Sequence, residues 1–277
     1  MSKSTTKAPL RKAKCEPLFN SDFELRYPRI LLFDIETAPN LSYIWGHYDQ
    51  NALKHVMERY ILSVAYKWLG EDEVRVMSIR DYKGYKPLRD CDRGLVKDLW
   101  KLFDEADIIV GHNLDSFDIK MANSRFLKYG FDPPSFYRTI DTKVQAKRYF
   151  RQNSNKLDDL GNFLGVGRKM KHQGFDMWVD CMSGVPEAWD EMLAYNKQDV
   201  LLLERVYLKM RAWMTQHPNL NVLMNRDLGC SKCGSLNVVF RGDVVWTNMS
   251  RAKRYYCKDC RGYSQSQYKK VSSMRAS

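Results

Sequence analysis

The sequence predicts a mixed α/β domain, a sheet flanked by helices, followed by a small cysteine-bearing module. Residues 30–37 (Ile-Leu-Leu-Phe-Asp-Ile-Glu-Thr) open with an apolar run of the kind a strand buried on both faces presents. Strand-like and helix-like stretches then alternate, as in a sheet with crossover helices. Near the C-terminus two Cys-x2-Cys pairs, Cys230/Cys233 and Cys257/Cys260, bracket a segment too small for a core of its own.

Taken in order, residues 1–27 read as a basic, flexible arm. After the opening strand, residues 40–48 are a polar and aromatic connection. Tyr60 to Leu69 and Glu73 to Arg80 read as two strands joined at Gly70-Glu71-Asp72, a turn composition that predicts a hairpin. Leu95, Leu99, Leu102 and Phe103 fall at helical spacing in a helix over 92–105. Residues 106–111 form a short buried strand, and a helix from about Asp115 to Tyr129 stops at Gly130. Tyr137 to Ile140 adds a fifth strand. Helices follow over about 141–149, 156–164 and 187–213, with a basic, glycine-containing loop at 165–174. The early strands are expected antiparallel and the fourth reached by a crossover. Pro218 ends the long helix, so the domain is taken as 28–216, with a linker over 217–225, the cysteine module over 226–265 and a basic tail over 266–277.

Composition bounds the partners. The net charge is +12, of which residues 226–277 supply +8 and residues 1–26 supply +3, leaving +1 for the body. Basic ends on a near-neutral body suit a polyanion, although solubility alone can also require such charge. No apolar run is long enough to span a bilayer, which predicts a soluble protein without a membrane partner. Cys15, Cys91 and Cys181 read as free thiols, and an odd total of seven cysteines points to a reducing compartment, most simply a cytoplasm, bacterial or phage-infected. The basic, Ser/Thr-rich residues 1–15 also fit organellar import.

Asp34 and Glu36, two apart on a strand, point the same way. Paired carboxylates repel and lose hydration unless a cation joins them, and hard divalent ions prefer oxygen ligands. The alternative is a strand end running into solvent. Two later acids bear on the choice. Asp118 lies at the fourth strand–helix junction, where it also suits the helix dipole; Asp115 competes with it as N-cap. Asp199 falls with Asn196 on the stripe of Trp189, Met192, Leu193, Leu203, Val206 and Met210, where an acid without a partner is costly. Tyr195 precedes Asp199 by one helical turn.

Asp34-x-Glu36, Asn113-x3-Phe117-Asp118 and Tyr195-x3-Asp199 resemble, in order, the three motifs of the DEDD, or DnaQ-like, 3′–5′ exonucleases of the RNase H-like superfamily. The Tyr-x3-Asp form is similar to the tyrosine subclass, found in proofreading domains of family B DNA polymerases and in stand-alone phage-type exonucleases. Ala194 stands where the histidine subclass would carry histidine. The resemblance covers about residues 28–215, and Ser154-Asn155-Lys156-Leu157 agrees with it. It implies an RNase H-like mixed sheet and two Mg2+ or Mn2+ ions. Asp34 would bridge them, Glu36 and Asp199 complete the nucleophile-side ion, Asp118 help hold the other, and Tyr195 orient the attacking water. The products would be nucleoside 5′-monophosphates, with DNA favoured over RNA as substrate and replication or repair proteins as possible partners. RNA trimming, structure-specific cleavage and a catalytically silent nucleic-acid-binding role stay open.

Around this site, Tyr43, Ile44, Trp45 and Tyr48 could stack on terminal bases, although at least two are expected to pack over the sheet. Phe117 is expected beneath the acids, and His112 in a structural hydrogen bond. Asn113, Lys169, Lys171 and His172 are candidate substrate contacts, with a solvated loop the alternative for the last three.

Four thiolates in two Cys-x2-Cys pairs suit a closed tetrahedral site, so Cys230, Cys233, Cys257 and Cys260 are expected to hold one structural Zn2+, with iron the competing metal. Strand-like runs at 237–240 and 244–246 complete a zinc ribbon stabilised by its metal. Arg251, Lys253 and Arg254, interleaved with Tyr255 and Tyr256, are candidate nucleic-acid contacts. The segment resembles zinc ribbons of transposases and replication proteins. Protein docking is the alternative.

Overall fold

The computed structural model describes residues 26–46, 48, 51–247, 250–267, 269 and 270. Nearly all of the expected N-terminal arm, Cys15, and the last seven residues of the expected tail lie outside the described residues.

The body runs β1 (Ile30–Thr37), β2 (Leu41–Tyr43), β3 (Lys54–Met57), β4 (Ile61–Trp68), β5 (Arg75–Ser78), α1 (Arg93–Glu105), β6 (Ile108–Gly111), α2 (Asp118–Lys128), β7 (Arg138–Asp141), α3 (Thr142–Tyr149), α4 (Leu157–Phe163), α5 (Asp176–Ser183) and α6 (Pro186–Arg211). A short helix, α7 (Leu220–Leu223), leads to β8 (Val238–Trp246), β9 (Ser250–Cys257), β10 (Tyr263–Gln265) and β11 (Lys269–Lys270).

The main sheet has the order β5-β4-β1-β6-β7. β4 pairs antiparallel with β1 and β5, whereas β6 is parallel to both β1 and β7. The mixed sheet flanked by helices is therefore as expected. β1 sits at the centre because its residues have apolar partners on both sides. Leu31, Phe33 and Ile35 enter one core cluster, while Ile30 and Leu32 enter another. Burying each such side chain contributes about 1.5–3 kcal/mol. α6 reaches both clusters, with Trp189 and Met192 in the first and Val200, Leu203, Val206 and Met210 in the second. Its 26 residues bind the two ends of the domain together.

Asp92 is fully buried and accepts from Arg125, from the Tyr129 hydroxyl and, at 3.0 Å, from the Ile61 amide. This network joins the entry of α1 to α2 and β4. The Asp92 carboxylate is thereby paired and hydrogen-bonded, as a buried charge requires, whereas Arg125 Nε is buried without a partner among the described residues.

Several elements differ from expectation. α2 begins at Asp118, after a turn over 114–117, so Asp115 is not its N-cap. The Asp115 amide is instead held by Asp141, whose carboxylate also accepts from the Asn113, Lys143 and Val144 amides. β5 is shorter than 73–80, because Ser78 and Asp81 form a capping box that turns the chain into a single 3-10 turn. β2 and β3 form a small separate hairpin where only a connection was expected. Its environs remain outside the core: Tyr43, Ile44, Trp45 and Tyr48 are all exposed, Trp45 by 88%, so the expectation that at least two pack over the sheet fails. α5 occupies a stretch the sequence left unassigned. The segment 217–225 is not an open linker: it contains α7, buries Leu220 and Met224 against the second cluster, and bonds buried His217 to Tyr207 at 2.9 Å.

At the C-terminus, β8, β10 and β11 all pair antiparallel with β9. The described part of the expected tail therefore adds a strand to this sheet. The two cysteine knuckles are built alike. The Gly234 amide donates to the Cys230 carbonyl at 2.9 Å and the Arg261 amide to the Cys257 carbonyl at 3.0 Å. Both turns require a left-handed residue, with φ of 73° at Gly234 and 62° at Arg261. The Lys232 ammonium caps the Ala212 carbonyl at the C-terminal end of α6, which docks the first knuckle on the body.

Candidate active site

β1 places Asp34 and Glu36 on the face begun by Ile30 and Leu32, where α6 crosses the sheet. α6 presents Tyr195, Asn196 and Asp199 on its buried side. Oxygens of Asp34, Glu36 and Asp199 can all lie within 4.8 Å of one another. Asp118, buried at the start of α2, is outside that group of three but close enough to Asp34 for their charges to repel.

Neutral donors hold Asp34 and Glu36, and a charged one holds Asp199. Asn196 Nδ2 donates to Asp34 Oδ2 at 2.8 Å, and Asn196 Oδ1 accepts from Ser63 Oγ at 3.0 Å. The amide is thereby fixed from both ends. Trp178 Nε1, on α5, donates to Glu36 Oε2 at 3.0 Å. Asp199 Oδ2 accepts from Lys169 Nζ at 2.5 Å, and the same ammonium donates to the Tyr195 hydroxyl at 2.9 Å. Asp199 Oδ1 is buried without a hydrogen-bond partner.

Lys169 reaches the acids because its loop is pinned at both sides. Its amide donates to Asp158 Oδ1 on α4 at 2.7 Å. Gly161 lets the preceding loop lie against α4 and α6: a Cβ there would meet the Gly167 carbonyl oxygen and Leu202 Cδ1, each at 2.7 Å. His172 packs edgewise on Tyr195 and Trp178, with ring centroids 4.8 and 5.1 Å away.

The electrostatics state what the cluster lacks. Burial first, then repulsion from Asp199, pushes Asp34 up to about 7; Lys169 and Asn196 oppose the rise. Burial and Asp34 push Glu36 and Asp118 well above the usual carboxylate range, and burial raises Asp199 despite Lys169. Burial likewise pushes the Tyr195 phenol up to about 12, so it keeps its proton at neutral pH. Four carboxylates, Asp118 and Asp199 buried and Asp34 and Glu36 half-buried, share one ammonium here. The unpartnered Asp199 Oδ1 and the all-oxygen donor set fit a hard divalent cation.

The remaining candidates separate. Asn113 adopts φ of 68°, and its side chain is engaged by Ser116 and by Lys143 Nζ at 2.9 Å. Lys171 is exposed. His112 makes the expected structural contact, Nδ1 to Thr142 Oγ1 at 2.9 Å, and burial lowers it to about 4. Phe117 packs against the first core cluster, with the Arg59 guanidinium 5.6 Å from its ring. Trp178, Asn196 as an Asp34 ligand, and the Lys169 ion pair are the features the sequence did not disclose. For Asn196 the signal was present: an amide on an apolar stripe needs partners as much as an acid does.

The cysteines form a second cluster. Cys230, Cys233, Cys257 and Cys260 offer sulfurs within 4.8 Å of one another, with Cys230 to Cys260 at 3.5 Å and Cys233 to Cys257 at 3.7 Å. Cys91 and Cys181 are free thiols, and burial pushes Cys181 up to about 12. Among the described residues no helix is long and apolar enough to cross a membrane.

No curated protein matches this sequence. Among solved structures, the family B DNA polymerase from the hyperthermophilic archaeon Pyrobaculum calidifontis is similar at 19% identity with a TM-score of 0.45, over 67% of this chain and 25% of the polymerase. The chain thus spans about a quarter of that protein's length. Residues 31–211 match the RNase H superfamily, including every acid of the site, and the chain belongs to that superfamily.

Proposed function

We propose that this chain is a 3′–5′ exonuclease dependent on divalent metal, releasing nucleoside 5′-monophosphates from nucleic acid, DNA in preference to RNA. An RNase H-like fold supports a nuclease. The observation that carries the finer reading is the gathering of Asp34, Glu36 and Asp199 around one point, with Tyr195 one turn before Asp199. Asp34, Glu36 and Asp199 would hold one Mg2+ or Mn2+, and Asp118 with Asp34 a second. When bound, such a pair supplies Lewis acidity to the attacking water and the leaving oxygen. The protein's own part is positional. Asn196 and Trp178 fix one oxygen each of Asp34 and Glu36, and Tyr195, protonated, is a hydrogen-bonding group for water at the site. The preference for DNA rests on the resemblance of the three motifs to proofreading domains of DNA polymerases, since no residue of the motifs reads the 2′-OH. Replication or repair proteins are its natural partners. Cys230, Cys233, Cys257 and Cys260, all protein ligands in a closed set, would hold one structural Zn2+ and make the C-terminal module a zinc ribbon.

Purified protein incubated with Mg2+ and 5′-labelled DNA or RNA is expected to give a ladder that shortens from the 3′ end. Asp34→Ala is expected to lower the rate by on the order of a thousandfold, with an unchanged circular dichroism spectrum. A fully active Asp34→Ala protein would sink the assignment, and internal cuts would favour the structure-specific alternative.

A further inference from the structure

The C-terminal sheet has two unlike faces. In the β8–β9 pairing, Trp246 lies opposite Arg251, Val244 opposite Lys253 and Phe240 opposite Tyr255. Directly opposed residues share a face, so these six side chains stand together. Their contacts agree: the Lys253 ammonium is 5.7 Å from the Phe240 ring centroid, and the Phe240 and Tyr255 centroids are 6.0 Å apart. Trp246 is 74% exposed and Phe240 51%. Neither Arg251 nor Lys253 forms an ion pair among the described residues. The other face pairs Val245 with Ala252 and Tyr256 with Tyr263. It lines a cleft of about 470 Å³ with Ala212, Trp213 and Thr215 of the body, and Arg254 lies over Tyr263 there. One face is turned to the protein and the other to solvent.

We propose that the solvent face is a stacking platform for single-stranded nucleic acid, with bases against Trp246 and Phe240 and phosphates against Arg251 and Lys253. This rests on the nucleic-acid substrate proposed above and narrows it to single strands. Aromatic planes interleaved with cations suit a strand whose bases are unpaired, because a duplex hides its π faces and offers phosphates alone. Phe240 and Trp246 stand opposite residues four apart on β9, so about 13 Å of strand separates the two rings, a span that an extended backbone covers with room for a cation contact between. An acidic protein would satisfy Arg251 and Lys253 but would leave two exposed aromatic rings without a role. Arg254, a sequence-level candidate for the same contact, belongs to the opposite face and is outside this platform.

The test is fluorescence anisotropy with the full chain, without added divalent cation, using labelled oligo(dT) of about 20 nucleotides and a blunt hairpin duplex. Trp246→Leu is expected to weaken oligo(dT) binding roughly tenfold while duplex binding stays within about twofold, and Trp246→Phe to recover most of the loss. Equal losses on both ligands, no loss in Trp246→Leu, or competition by polyglutamate as strong as that by oligo(dT) would each overturn the platform. Binding is read apart from hydrolysis. A protein that binds oligo(dT) through Trp246 but cleaves nothing with Mg2+ would refute the exonuclease and leave the platform standing. A protein that cleaves but shows no Trp246 dependence would refute the platform alone.

Discussion

The acid cluster and the cysteine cluster solve the same problem, holding like ligands close together, with opposite sources of energy. Asp34, Glu36 and Asp199 stand on β1 and α6, whose apolar residues fill two core clusters. Their geometry is enforced by packing, and a cation would relieve a strain the fold already sustains. The four cysteines stand on two turns of a small sheet with few buried apolar residues, Ala252 among them. There the metal would be the core. A site imposed by its scaffold can stay open for chemistry, whereas a site that creates its scaffold must be closed.

Removing metal should separate the two most sharply. A strong chelator is expected to unfold the C-terminal module, because zinc binding contributes on the order of 10 kcal/mol to such modules, while the body keeps its cooperative thermal transition. Limited proteolysis should then cut within 226–265 and spare the body; a module that stays protected would show that its fold does not depend on metal, and loss of both together that the body depends on it too. Next in size is Lys169→Met. Without divalent cation it leaves Asp199 buried and unpaired, and is expected to lower stability by about 2 kcal/mol, less than for a fully buried pair because the lysine side chain is 31% exposed. Saturating Mg2+ should erase much of that loss in urea melts. A loss independent of Mg2+ would place the lysine's role outside the metal site.

The smallest expected effect is a contrast in pH response. Asp34 is raised from 3.8 to about 7, and Glu36, Asp118 and Asp199 are raised too. A raised folded value means that the native state holds these protons more tightly than the unfolded chain. The metal-free body is therefore stabilised at low pH and loses that stability as pH climbs through about 7. Its Tm should fall by a few degrees over that climb, and the stabilisation by Mg2+ should grow. The cysteine module should behave inversely, since protons compete with zinc for the thiols and release it as pH falls. Parallel responses would mean that the two sites are not built as described.

What was legible in the sequence was periodic or local. The unbroken run at 30–35 buries both faces of its strand and the stripe from Trp189 to Met210 buries one face at a helical period, so both elements and the acids on them could be placed. The Cys-x2-Cys spacing is likewise a local geometry. The supports of the site were not legible because they are contacts across long separations. Trp178 meets Glu36 across 142 positions and Asn196 meets Asp34 across 162. α5 is only eight residues long and rich in Met, Trp and Cys, so neither length nor propensity marks it. Lys169 looked like one solvated cation among several, because nothing local distinguishes it from Lys171. The hairpin of β2 and β3 escaped because strands of three and four residues carry no readable alternation.

The lysine cap on Ala212 turns α6 into a ruler. Asp199 lies on that helix about 20 Å, at 1.5 Å per residue, from the end on which the first knuckle is seated. On the reading proposed above, a strand held on the outer platform and cleaved at the acids would have that length of helix between its two anchorages. Were both proposals right, short substrates would engage one half of the molecule alone, and only longer ones would engage both.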